Sequence, residues 1–205
     1  NEGIPLMHEP GFPDTDTPGT LTCATDASGD TARVDSGVGG YGFLAEQPNT
    51  LYIVSELWPQ HIREALALTA RKRVDRLTDT ERARCLAVPT AEAFGMFAVP
   101  AAIAATLGPG VVQRVVAIGD CAPASAAFEG CRSVSAQIRA MVRNTYEHVA
   151  PHWLAVDVPR AFNTDPDRLS HPLIDQVVED ARASGLTVVR ARMTAASWRL
   201  LDPSR

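Results

Sequence analysis

The chain has 205 residues, enough for one substantial domain, and 45% of them are apolar, as in a globular core. Acidic residues (24) outnumber basic ones (19), giving a net charge of −5, which argues against a protein that coats nucleic acid by bulk positive charge but leaves room for a local basic groove. No run reaches the roughly 18 consecutive apolar residues of a membrane span, so no membrane partner is expected.

Residues 1–19 hold four prolines and three glycines and read as an extended arm. Thr20 to Thr25 reads as a buried strand, Asp30 to Ser36 as a polar turn, and GVGGYGFLAE (37–46) as a Gly-rich second strand. TLYIVSELW (50–58) is β-branched and aromatic and makes a third strand, joined to the second by a QPN turn. Three antiparallel strands are therefore expected first.

Pro59 to Ala87 reads as helical and charged, with Asp79 or Thr80 as a cap. Residues 89–108 predict a helix capped by Thr90, kinked at Pro100 and ended by Gly108. VVQRVVAIGD is a buried strand ending at Asp120, and 133–150 an amphipathic helix with Val134, Ile138, Met141, Val142 and Tyr146 on one face. HWLAVDVPR is a strand, 163–185 is helical and interrupted near Pro166 and Pro172, and LTVVRARMT is one last short strand. A mixed sheet with helices on its faces is the expected architecture.

Cys23, Cys85, Cys121 and Cys131 form no CxxC pair and read as free small core residues, with a Cys121–Cys131 disulfide as the alternative. Free thiols and the lack of a charged-then-apolar leader make the cytoplasm the expected location.

Acidic residues carry the functional signal. Asp26 and Asp120 each follow an apolar strand directly, at the carboxyl ends where open α/β sheets place their chemistry. Glu92 stands early in the helix that precedes the Asp120 strand, and Asp167 follows the next strand. Carboxylates converging at neighbouring strand ends repel unless a cation holds them. Such a set suits Mg²⁺, and two ions about 4 Å apart would clamp an in-line phosphodiester displacement.

Four stretches, ATDASGDTARVDSGVGGYGFLAE, AEAFGMFAVPAAIAATL, VVAIGDCAPASAA and VPRAFNTDPDRLSH, together resemble a ribonuclease H-like domain, and most of all the reverse-transcriptase-associated, retroelement-type branch. The resemblance covers about residues 20–171. It implies an α/β ribonuclease H-like fold with a mixed five-stranded sheet, three antiparallel strands followed by parallel additions. It implies the site Asp26, Glu92, Asp120 and Asp167, acting as catalytic residues and as ligands to two Mg²⁺ ions, with Mn²⁺ able to substitute. Glu56 is the rival of Glu92, and Asp165 of Asp167. The 28-residue gap from Glu92 to Asp120 holds one helix and one strand, which favours Glu92.

The implied activity is hydrolysis of the RNA strand of RNA–DNA hybrids. The alternatives are a nuclease acting on DNA or double-stranded RNA for a mobile element, with a reverse transcriptase as partner, and a catalytically silent binding or assembly domain. Ser28, Asn163 and Arg160 are candidate substrate contacts, as are Arg71, Lys72 and Arg73 in the basic run of the insertion. Three departures from the family stand out. About thirty residues (59–88) are inserted before the Glu92 helix, no basic protrusion follows the Asp120 strand, and Arg160 occupies the loop in which the family often places a product-releasing His. Residues 172–205 are expected to pack as an extension on the same domain.

Overall fold

The computed structural model describes residues 15–28, 35–71, 76–130, 136–171 and 173–201. The elements, in chain order, are β1 (Thr20–Ala27), β2 (Gly37–Leu44), β3 (Thr50–Leu57), α1 (Gln60–Arg71), α2 (Asp79–Arg84), α3 (Val88–Leu107), β4 (Arg114–Gly119), α4 (Ala122–Gly130) and α5 (Ala136–Asn144). A π-helical turn (Thr145–Val149) continues α5, and β5 (His152–Asp157) and a 3₁₀ turn (Arg160–Phe162) follow. The chain then forms α6 (Thr164–Ser170), α7 (Ile174–Ala183), β6 (Thr187–Arg190) and α8 (Ala195–Arg199).

The sheet has the order β5-β4-β1-β2-β3-β6. β1, β2 and β3 are antiparallel neighbours, while β4 pairs parallel to β1 and β5 parallel to β4. That is the expected mixed sheet with one strand more. LTVVRARMT forms β6, which pairs parallel to β3 from Thr50↔Thr187 to Ile53↔Arg190, so the sheet has six strands and not five.

Alternation along the strands splits the core in two. Leu21 and Cys23 of β1 and Tyr52 and Val54 of β3 face a large cluster with α3, while Leu51 and Ile53 face a small one with Leu169 and Val177. The large face carries α3, with α4 and α5 against it, and the other face carries α6 and α7. α3 is apolar all round and long enough to cross a bilayer by length and composition, but 67% of its apolar window is buried inside the domain. Such a helix is what the centre of a large core requires.

Several expected boundaries shift for local reasons. Thr78, and not Asp79 or Thr80, caps α2. Its hydroxyl accepts from the Glu81 amide, and Glu81 returns a bond to the Thr78 amide. α3 starts at Val88 with Ala87 as its cap, so Thr90 lies buried inside the first turn. Pro89 sets this earlier start, since a proline costs nothing where no amide partner exists. The helix runs through Pro100 and ends at Gly108, which has φ +101°.

The segment 163–185 divides into α6 and α7. His171, before Pro172, is extended (φ −108°, ψ 147°), as the proline ring demands of its predecessor. The Ala-rich α4 was not expected. Of the 133–150 apolar face, Ile138, Met141 and Val142 are buried, while Val134 lies outside the described residues.

The inserted segment sends Ile62, Ala65, Leu66 and Leu86 into the large cluster. Near the C-terminus, Trp198 packs its ring 5.4 Å from Phe94 and 6.0 Å from Trp58. The expected arm up to residue 14, the turn residue Asp30 and Cys131 lie outside the described residues. Cys23, Cys85 and Cys121 are thiols outside any disulfide, and burial pushes the Cys23 thiol far up.

Candidate metal centre at the sheet's carboxyl edge

β1 and β4 run parallel with Ala24 opposite Ile118. Asp26 and Asp120 each lie two residues further on, so both project from one face at neighbouring strand ends, with the strands about 4.8 Å apart. Glu92 arrives from α3, and its Oε2 accepts from the Ala27 amide at 3.2 Å. Gly95, one turn later, lets the helix approach. A Cβ there would sit 3.3 Å from the Asp26 carbonyl oxygen, closer than most real contacts. The result is a cluster in which carboxylate oxygens of Asp26, Glu92 and Asp120 all lie within 4.8 Å of one another.

The opposite approach comes from α6. Asp26 pairs across the ladder with Gly39, where a Cβ would meet the Leu169 carbonyl carbon at 2.1 Å. Only a bare backbone admits α6 here. The close approach to the Gly-rich strand is thus made by the protein's own helix. Ser55 Oγ donates to the Leu169 carbonyl at 2.7 Å and fixes that docking.

Asn163 holds the cluster from the side. It is buried, and its Nδ2 donates to the Thr25 carbonyl (3.0 Å) and to Asp120 Oδ1 (3.3 Å). Its Oδ1 is buried without a hydrogen-bond partner among the described residues. Asn163 is thus placed as a positioner of Asp120.

Burial and mutual repulsion set the electrostatics of the cluster. Burial, reinforced by Asp26 and Asp120, pushes the Glu92 carboxyl up to about 9 against the Ala27 hydrogen bond and Arg160. Burial also raises Asp26 to about 6. A Ser170 hydrogen bond and Arg160 oppose that rise, and Asp167 and Asp120 add to it. Three crowded carboxyls, of which Glu92 and Asp26 resist ionisation, fit a divalent cation that takes oxygen ligands, and the all-carboxylate set favours a hard ion of the Mg²⁺ or Mn²⁺ type.

Asp167 stands outside that trio. Its charge reaches Asp26, and its Oδ1 lies 3.3 Å from Arg160 Nη2. The pair is exposed, with 82% and 40% of the two side chains accessible. Such a pair contributes about 0–1 kcal/mol, so Asp167 can exchange its partner at little cost. Asp165 instead pairs with Arg168 at 3.1 Å. Glu56 lies two strands from Asp26 and pairs with Arg192 at 3.2 Å, so of the two glutamates only Glu92 joins the cluster.

Ser28 is buried just past β1. Its amide donates to the Gly37 carbonyl, and its own carbonyl accepts from the Trp58 indole at 2.9 Å. Its backbone is thus tied into the fold. Arg160 is exposed beside the cluster. α1 ends at Arg71, whose side chain lies outside the described residues, as do Lys72 and Arg73. Sequence reasoning did not anticipate the Arg160–Asp167 pair, which forms across a turn, or Ser170, whose only signal was its place at the end of the LS dipeptide.

The strand order, the helices on both faces and the strand-end acids define a mixed α/β domain with an acidic cluster at the carboxyl ends of its parallel strands. Among solved structures, the chain is similar to RNase H1 from the halophilic archaeon Halobacterium salinarum NRC-1. That match has 15% identity and a TM-score of 0.47 and covers 77% of this chain and 98% of that one. It is also similar to the N-terminal RNase H domain of a Mycobacterium tuberculosis protein, solved as a fusion with maltose-binding protein. There the identity is 15%, the TM-score 0.44, and the coverage 81% and 98%. No family model matches the chain, and no curated protein matches it.

Proposed function

We propose that the chain is a metal-dependent nuclease that hydrolyses the RNA strand of RNA–DNA hybrids. The observation that carries this reading is the meeting of Asp26, Glu92 and Asp120, from three separate elements, at one strand-end site. Held by these three, with Asp167 completing the set, Mg²⁺ ions would polarise the scissile phosphate and supply ionised water.

The chain's own residues prepare that site. Glu92 and Asp26 are held in a dry, crowded setting that raises both carboxyls, so a cation's charge favours their ionised forms. Asn163 fixes the orientation of Asp120. Arg160 offers an exposed guanidinium for a substrate phosphate once Asp167 turns to the cation. The basic run at Arg71, Lys72 and Arg73 would reach phosphates further along a duplex. A retroelement-type role beside a reverse transcriptase is the biological setting that the sequence resemblance suggests, and the cysteine usage suits the cytoplasm.

Incubating the protein with labelled RNA–DNA hybrid, double-stranded RNA and double-stranded DNA in Mg²⁺ or Mn²⁺ tests the reading. Selective loss of the RNA strand of the hybrid supports it. Equal cleavage of the DNA duplex points to the mobile-element DNA nuclease, and no cleavage of any substrate to the silent domain.

A further inference from the structure

The turn between β5 and α6 is tied to the metal centre at both ends. Before it, the Val158 amide donates to the Gly119 carbonyl at 2.9 Å, at the end of β4. After it, buried Asn163 donates to the Thr25 carbonyl and to Asp120. Within it, the Phe162 amide donates to the Pro159 carbonyl (2.8 Å) and the Asn163 amide to the Arg160 carbonyl (3.0 Å). A turn held this way has a fixed backbone path, and consecutive Cα atoms are about 3.8 Å apart. Phe162 therefore stands one residue from a group that touches a ligand of the candidate metal site.

Phe162 is 60% exposed, the most exposed large apolar residue among those described. An isolated exposed Leu or Val needs no explanation. Here a phenyl ring and the Arg160 guanidinium project from one rigid turn beside an acidic cluster. A nucleic acid strand offers a partner to each, a phosphate for the cation and a flat base or sugar face for the ring.

We infer that Phe162 is a stacking contact of the site, packing its ring against a nucleotide of the bound strand next to the cleaved phosphodiester, an inference that rests on the nuclease reading above. Arg160 reads the charge of that nucleotide and Phe162 its apolar face. The pair grips the strand within a chain whose net charge is −5.

Equilibrium binding and steady-state cleavage of a fluorescent RNA–DNA hybrid test this with wild type, Phe162→Ala, Phe162→Tyr and Arg160→Ala, each first checked for an unchanged melting temperature. Phe162→Ala should weaken binding about tenfold and raise KM by more than it lowers kcat, and Phe162→Tyr should restore binding. The slope of log affinity against log salt should be unchanged in Phe162→Ala and reduced by about one in Arg160→Ala. Binding by Phe162→Ala within twofold of wild type overturns the inference, as does failure of the wild type to bind the hybrid. Wild type that binds without cleaving, with Phe162→Ala still weakened, sustains the contact and overturns the nuclease reading alone.

Discussion

Asp26 and Gly39 face each other across the β1–β2 ladder, and the missing Cβ of Gly39 is what lets the end of α6 lie against the strand that carries Asp26. The position of the first acid and the composition of the second strand are thus one structural fact. α6 reaches Asp26 from one face through Ser170, and α3 reaches it from the other through Gly95 and Glu92.

Gly39→Ala should therefore damage both fold and site. The added methyl would meet backbone, which cannot yield as a side-chain tip can. Overpacking typically costs about 1–3 kcal/mol, and this substitution should lie at or above the upper end. Urea unfolding should show the loss, and the metal-induced rise in melting temperature should shrink with it. A variant as stable as wild type would show that α6 does not dock on this glycine.

The acidic cluster should weaken the metal-free fold. Glu92 is raised from 4.5 to about 9 and Asp26 from 3.8 to about 6. For raised carboxyls, the stability contributed by the protonated forms is complete below their ordinary values. It is lost as pH rises through about 6 for Asp26 and about 9 for Glu92. Glu92→Gln cannot ionise, so in EDTA its melting temperature should exceed that of wild type by a margin that grows from mildly acidic to alkaline pH. The same variant should lose the stabilisation that Mn²⁺ gives wild type. A pH-independent margin would contradict this account.

Metal binding should release protons. Near neutral pH, Glu92 is protonated and Asp26 largely ionised. Cation entry should therefore expel about one proton. Calorimetric titration with Mn²⁺ in buffers of different ionisation enthalpy reads this number directly. An apparent binding enthalpy independent of buffer would show that the cluster is already fully ionised.

Asn163 should act through Asp120. Asn163→Ala leaves the buried Thr25 carbonyl without its amide donor and frees the Asp120 carboxylate to turn. The stability loss should be about 1–3 kcal/mol, and Mn²⁺ affinity should fall as well. Asn163→Asp, similar in shape but an acceptor, should fail to rescue either property. Rescue by Asp would mean that Asn163 does not position Asp120 as a donor.

Much of this was legible in the chain itself, for identifiable reasons. Asp26 and Asp120 end apolar strands, and parallel register brings such ends together without further information. Chain length favours Glu92 over Glu56, and α3 and β4 occupy the residues between Glu92 and Asp120. The partner of β6 was not legible. Thr187–Arg190 is short and only half-buried, and its pattern signals a strand without naming β3 as its neighbour. α4 was missed because APASAAFEG consists mostly of small residues with no polar face to set a helical period. The pairing of Arg160 with Asp167 depends on the path of the 3₁₀ turn, which local composition does not dictate.

The central claim is tested most directly by incubating wild type and Asp120→Asn with an RNA–DNA hybrid labelled on each strand, in Mn²⁺ and in EDTA. The account predicts cleavage of the RNA strand by wild type in Mn²⁺ only, and loss of that cleavage by at least about a hundredfold in Asp120→Asn, since one ligand of a shared cation site is gone. Full activity in Asp120→Asn, or cleavage that persists in EDTA, would contradict it.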